Sequence, residues 1–266
     1  MDTDWPGHPP DYSKPPQGQL TLGQVAAMID HSLLRPELTL DDVTLGCEIA
    51  ATHEVASVCC KPADVVHASR LLAGTDVKVG TVVGFPHGSS TTETKVFEAR
   101  RAIQDGAREL DMVINIGRLR GGDQGYIAAD IRAIVDVAAT AGALVKVIFE
   151  NAYLTDDEKI VACHLTEQAG ADFVKTSTGF AATGATMEDL ILMRRSVGPA
   201  MQVKAAGGVR TLDTMLSMVA IGVSRFGATA TVTMLADAKE RAARGELKVP
   251  LADATGASAV SASQEY

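Results

Sequence analysis

Along the 266-residue chain, short apolar runs alternate with longer segments whose apolar positions recur at helical spacing. The runs fall at 28–34, 55–60, 77–83, 110–115, 143–150, 173–177, 201–205 and 224–227. They are rich in β-branched residues and bounded by turn formers, which reads as strands buried on both faces. The segments 41–54, 62–73, 92–105, 123–141, 155–169, 187–196, 212–221 and 229–244 read as helices, with 20–28 a short helix closing the bottom of the fold. Thr39 and Thr155 stand where N-caps belong, and Ser90-Thr91-Thr92-Glu93 has the spacing of a capping box. Eight strand–helix units over 20–250 predict a single-domain α/β fold closed into a (β/α)8 TIM barrel. An open doubly wound sheet shares the local pattern, but no G-x-G-x-x-G follows the first strand, which disfavours a dinucleotide-binding sheet. The Pro-rich start, 1–19, and the small polar tail, 251–266, are expected to be flexible.

Composition narrows the class. Aromatic residues make up only 4% of a chain that is 46% hydrophobic, so the core must be Val, Ile, Leu, Ala and Met. Met215, Met218 and Met234 read as part of it. A net charge of −9 argues against a nucleic-acid partner, though a local site can still hold a small anion. No apolar run is long enough to span a bilayer, so no membrane association is expected. Cys47, Cys59, Cys60 and Cys163 show neither a disulfide framework nor metal-ligand spacing. With no basic-then-apolar leader at the start, a reducing cytoplasmic setting is expected.

The unusual polar residues change the picture most. Lys146, Lys175 and Lys204 each sit inside an apolar strand, at successive intervals of 29 residues, the length of one strand–helix unit. Three neighbouring strands are therefore expected to carry a lysine at a matching height. A salt-bridged or edge-strand lysine would explain any one alone; three together favour a shared site. Burial disfavours the charged ammonium and can lower a lysine pKa by about 3–5 units, leaving a free amine able to attack a carbonyl. Lys175 is the candidate nucleophile, and a second cation at Lys204 would help keep it deprotonated. Asp111, flanked by Leu110 and Met112, needs a partner, and Lys146 is the natural one. Two readings stand for this pair: a proton relay through a bound water, or an ion pair that closes the barrel interior. Asp30 is a second inward acid, suited to a substrate hydroxyl. Gly207-Gly208 opens a helix after the seventh strand, and Gly227-Ala228-Thr229 does so after the eighth, where barrels often hold phosphate. His31 and His87 read as structural, and Cys59 as a core thiol near enough to the barrel mouth to meet an aldehyde.

Taken together these stretches resemble the deoxyribose-phosphate aldolase family, class I aldolases on a (β/α)8 barrel. The resemblance runs from about residue 28 to 230. It is carried by Ile29-Asp30-His31-Ser32-Leu33-Leu34, Ser57-Val58-Cys59, Gly84-Phe85-Pro86-His87-Gly88, Glu109-Leu110-Asp111-Met112-Val113 and Lys146-Val147-Ile148. Most specific are Lys175-Thr176-Ser177-Thr178-Gly179 and Lys204-Ala205-Ala206-Gly207-Gly208-Val209-Arg210-Thr211. The resemblance implies reversible cleavage of 2-deoxy-D-ribose 5-phosphate to D-glyceraldehyde 3-phosphate and acetaldehyde, with no metal or organic cofactor. It implies that Lys175 forms the Schiff base, Lys204 tunes it and Asp111 activates a water. It places substrate and phosphate near Thr178, Gly179, Gly207, Gly208, Gly227 and Thr229, and gives a C-terminal tyrosine, here Tyr266, a part in proton transfer. Partners would be phosphosugar and aldehyde substrates, with a homodimer as the expected assembly. One departure is clear: the last phosphate loop runs Thr229-Ala230, supplying one hydroxyl where many relatives carry two serines.

Overall fold

A computed structural model of the chain describes residues 11–14, 16 and 18–250. The strands are β1 (Ile29–Leu33), β2 (Ser57–Cys60), β3 (Lys78–Val83), β4 (Glu109–Val113), β5 (Leu144–Ile148), β6 (Phe173–Lys175), β7 (Gln202–Ala206) and β8 (Arg225–Ala228). Each pairs in parallel with its neighbour in sequence, and β8 returns to β1, so the sheet closes as the (β/α)8 barrel that the alternation predicts. Outward strand residues such as Val58, Leu110, Val145, Val174 and Val203 are buried under the helices. Met215, Met218 and Met234 join them, as their pattern predicts.

Helix starts follow local chemistry. Thr39 and Thr155 each form a complete capping box with Asp42 and Glu158. The box expected at Ser90–Glu93 is absent: Thr91 is the N-cap, its hydroxyl takes the Thr94 N–H, and threonine at the third helical position cannot reach back. A short helix, Ile116–Arg120, interrupts the β4 loop because Asn115, read as the end of a strand, turns and caps it instead. β6 stops at Lys175 rather than running to Ser177. There the Thr176 hydroxyl takes over from the ladder, accepting from the Ala206 N–H at 3.2 Å.

The strand register corrects the expected matching height of the three lysines. Lys175 lies opposite Lys204, but Lys146 lies opposite Phe173, two residues below Lys175 and level with Asp111. Closing a barrel requires the register to stagger from strand to strand, so an equal interval in sequence does not give equal height.

At the bottom of the barrel the Tyr12 N–H donates to Pro199 O at 2.7 Å, and Gln19 bridges Lys248 in antiparallel fashion. Residues 1–10, 15 and 17 of the N-terminal extension, and the tail with Tyr266, lie outside the described residues.

Candidate active site

A cavity of about 460 Å3 opens at the C-terminal mouth of the barrel. Asp30, Cys59, Lys175 and Lys204 line its depth. The backbones of Thr178-Gly179, Gly207-Gly208 and Gly227–Thr229 form its wall. Side chains two apart on a strand share a face, so one period-2 pattern sends Asp30, Cys59, Asp111, Lys146, Lys175 and Lys204 into the barrel interior.

Beneath the cavity floor these groups make one dry ionic cluster. Lys175 Nζ and Lys204 Nζ both lie 2.7 Å from the same oxygen, Asp111 Oδ2. Lys146 Nζ holds the other oxygen, Oδ1, at 2.9 Å, Glu109 Oε2 at 2.5 Å and Asp30 Oδ2 at 3.1 Å. Lys204 Nζ also meets Asp30 Oδ2 at 2.5 Å. Arg225 Nη1 bridges Asp30 Oδ1 at 2.7 Å and Glu109 Oε1 at 3.1 Å, and the Ser57 hydroxyl donates to Asp30 at 2.7 Å. Phe173 floors the cluster, its ring centroid 5.3 Å from the Arg225 guanidinium carbon and 5.9 Å from Lys146 Nζ.

The electrostatics single out Lys175. Burial pushes every one of these lysines toward the neutral form. For Lys146 the carboxylates Asp111, Asp30 and Glu109 outweigh burial and raise the pKa well above its ordinary value. Asp111 and Asp30 do the same for Lys204. For Lys175 burial wins: Asp111 alone opposes it strongly, Lys204 adds repulsion, and the pKa falls below that of a free lysine. Asp111 and Asp30 would be raised by burial, but the surrounding cations override it and hold both well below the usual carboxylate range. The Cys59 thiol is pushed up to about 11, by burial first and by Asp111 second, so it stands in the cavity as a neutral group.

The remaining expected residues divide. Gly207 packs its backbone on Gly184, whose Cα would lie 2.8 Å from a Cβ added at Gly207, so the two loops meet only because both residues are glycine. Ala185 N–H donates to Ala206 O and Gly207 O, which fixes the loop after β6 over the cavity. Thr229 lines the cavity, and the helix Thr231–Ala243 beyond it starts at Ala230 with no side chain capping its first turn. Thr178 lines the wall, but its hydroxyl donates to Glu150 and accepts from the Phe180 N–H at 3.0 Å, so it shapes the turn. Glu150, missed in the sequence, is buried in a left-handed conformation, φ 58°, and also accepts the Thr178 N–H at 3.2 Å. Arg225, Glu109 and Ser57 were missed as well, although each lies two residues before an expected site residue: Gly227, Asp111 and Cys59.

His31 is structural, as its setting predicts. It is buried, with Nδ1 2.8 Å from the Thr231 hydroxyl at the start of the last helix, and burial followed by His53 lowers its pKa to about 4. An unfolded histidine titrates near ~6.5. Below that pH the unfolded chain takes a proton that the native site refuses, so stability is lost as pH falls from about 6.5 to about 4. At pH 5 this one group should cost about 2 kcal/mol relative to pH 7. Urea midpoints at the two pH values should show the loss, and His31→Gln should flatten it.

Comparison with known proteins places the chain in a family. The chain is 54% identical over 216 residues to the deoxyribose-phosphate aldolase of Bacillus mycoides, a match spanning 81% of this chain and 96% of that protein. It is 51% identical over 217 residues to the deoxyribose-phosphate aldolase of Thermococcus gammatolerans, again 81% of this chain and 96% of the relative. The tetrameric deoxyribose phosphate aldolase structure from Aeropyrum pernix superposes with a TM-score of 0.75 at 30% identity, covering 82% of this chain and 92% of that one. The family model of the DeoC/LacD aldolases matches residues 24–261, and the chain belongs to that family.

Proposed function

We infer that the protein is a class I aldolase that reversibly cleaves 2-deoxy-D-ribose 5-phosphate to D-glyceraldehyde 3-phosphate and acetaldehyde, as part of deoxyribose phosphate catabolism. The observation that carries this reading is a buried lysine amine at the floor of a cavity of about 460 Å3, sharing one carboxylate oxygen with a second lysine at 2.7 Å each.

The mechanism follows from the residues. The neutral Lys175 amine adds to the C1 aldehyde of the open-chain sugar, and loss of water leaves a protonated imine. The C3 hydroxyl gives up its proton, the C2–C3 bond breaks, and its electron pair moves into the imine as an enamine on Lys175. Glyceraldehyde 3-phosphate leaves. The enamine carbon takes a proton, and water releases acetaldehyde and regenerates the amine. Asp111, anionic and adjacent to Lys175, serves the proton transfers through a water, with Lys146 and Lys204 holding it in place. Asp30 lines the cavity floor with its oxygens held by Lys204, Lys146, Arg225 and Ser57, and in this reading it meets a substrate hydroxyl by exchanging one of those contacts. The backbone of Gly179, Gly207, Gly208 and Gly227, with the Thr229 hydroxyl and the open first turn after Ala230, forms the phosphate end. The aldehyde end passes Cys59, whose protonated thiol is a poor competitor for it. Tyr266 belongs to this proposal as a proton donor carried by the tail. A homodimer in the reducing cytoplasm completes it; four buried thiols suit that setting. Among the described residues no helix is long and apolar enough to cross a membrane.

Acetaldehyde with borohydride should leave an ethyl group on Lys175, located by peptide mapping. An ethyl group on another lysine, or none, overturns the assignment. With one hydroxyl in the last loop, phosphate binding rests largely on backbone N–H groups. Thr229→Ala should therefore raise KM for deoxyribose 5-phosphate several-fold, while leaving kcat/KM for deoxyribose unchanged.

A further inference from the structure

We propose that Arg225 and Glu109, which sit below Lys175 and outside the substrate cavity, set the protonation state of the nucleophile as an opposed pair of positioning residues. The inference rests on Lys175 being the imine-forming lysine and extends that reading to the charge balance of the whole barrel floor.

The floor carries four potential cations, Lys146, Lys175, Lys204 and Arg225, and three carboxylates, Asp30, Glu109 and Asp111. All seven side chains are buried or nearly so. A dry cluster resists a net charge, because an unmatched ion away from water is costly. Glu150, taken up by Thr178, and Asp172, taken up by the Val145 N–H, lie beside this ion-paired set without pairing to its cations, so within the set one positive charge is surplus and leaves from the group held most weakly. Lys146 contacts three carboxylates, while Lys204 and Arg225 each contact two. Lys175 contacts one, and shares that oxygen with Lys204. Arginine cannot yield the proton, since guanidinium stays charged at any working pH. A lysine must, and Lys175 is the one least compensated.

The groups that bear on Lys175 directly are Asp111 on β4, Lys204 on β7, the neutral Cys59 thiol on β2 and Glu150 just beyond β5. Asp30 on β1, Lys146 on β5, Glu109 on β4 and Arg225 on β8 reach it only through Asp111 and Lys204, to which they are linked by ion pairs. Asp172, just before β6, faces Glu109 and Lys146 from the bottom, and its carboxylate is taken up by the Val145 N–H at 2.8 Å. Among the ion-paired groups Arg225 is the one whose charge is fixed positive, and Glu109 is the one carboxylate that pairs with neither Lys175 nor Lys204. Neither lines the mouth cavity.

Removing Arg225's charge leaves three cations for three carboxylates, so Lys175 can keep its proton. Removing Glu109's charge deepens the surplus, so Lys175 sheds its proton more readily. The two substitutions should move the same titration in opposite directions, which loss of packing alone would not do. The test is the rate of borohydride trapping of the acetaldehyde imine as a function of pH, with the modified lysine identified in each protein. In Arg225→Met the midpoint should rise by about one pH unit, lowering trapping about ten-fold on the acid side. In Glu109→Gln it should fall, and Arg225→Lys, which restores a cation, should return it toward the native value. An unshifted midpoint in Arg225→Met, or an upward shift in Glu109→Gln, overturns the inference while leaving the Lys175 adduct standing. Absence of that adduct in the native protein overturns the parent reading as well. If Arg225→Met does not fold, Glu109→Gln decides alone: a downward shift supports the proposal, and an upward or absent one overturns it.

Discussion

Lys175→Met is expected to lower turnover of deoxyribose 5-phosphate by about 10^5-fold or more while leaving the thermal midpoint equal to or above that of the native protein. The loss is large because the amine is the covalent partner. Without the imine there is no place for the electrons of the breaking C–C bond, and no neighbouring group substitutes: Lys204 and Lys146 are held charged by the carboxylates around them. The stability side follows from the same geometry. Methionine matches lysine in length and carries no group to desolvate. Asp111 loses one hydrogen bond but keeps Lys204 on Oδ2 and Lys146 on Oδ1. Replacing a poorly compensated buried polar group with an apolar one of similar size is often neutral or stabilising. A coupled assay of glyceraldehyde 3-phosphate release, paired with thermal unfolding, checks both halves. Loss of activity with a lower melting point would make Lys175 a structural member of the cluster. Activity within ten-fold of native would end the imine mechanism.

Much of this site is legible in the sequence. Strand alternation gave the barrel because eight runs of buried-strand composition leave few ways to close. Lys175, Lys204, Asp111 and Asp30 stood out because a charged residue inside an apolar run demands a reason. What escaped notice lacked that contrast. Glu109 and Arg225 sit at the first residue of their strands, where a charge looks like an ordinary solvated strand end, yet period-2 alternation carries them inward. Glu150 reads as the polar end of the strand expected over 143–150, but β5 stops at Ile148, and only its left-handed backbone and the Thr178 contacts reveal it. The height of Lys146 was misjudged for a different reason. Sequence spacing measures distance along the chain, whereas barrel shear offsets neighbouring strands by an amount that pairing alone reveals. Lys95, which drew no notice in the sequence, is fully buried in the helix Thr92–Asp105 and ties that helix to the end of β4, donating to Val113 O at 2.8 Å.

Asp111→Asn should separate the two readings that the sequence leaves open for this residue. If Asp111 serves proton transfer, the variant still forms the imine but turns over about 10^3-fold more slowly. Imine formation survives because Asp111 is the strongest influence raising the Lys175 pKa, so its removal leaves the amine more readily neutral. Trapping with acetaldehyde and borohydride should then extend to lower pH than in the native protein. Turnover falls because the C3 hydroxyl proton and the enamine carbon both need a partner next to Lys175, and the asparagine amide does not ionise. Native Asp111 is held well below the usual carboxylate range, despite burial, by Lys146, Lys175 and Lys204. It is therefore anionic at neutral pH and accepts a proton only in passing, the behaviour of a relay that orients a water rather than of a stored acid. The substitution also leaves Lys146, Lys204 and Arg225 facing only Asp30 and Glu109, so a stability loss of about 3 kcal/mol should accompany it. The decisive comparison is trapping against turnover in one preparation. Fast trapping with slow turnover assigns Asp111 to proton transfer; both rates near native, with only the stability reduced, assign it to an ion pair that closes the barrel interior.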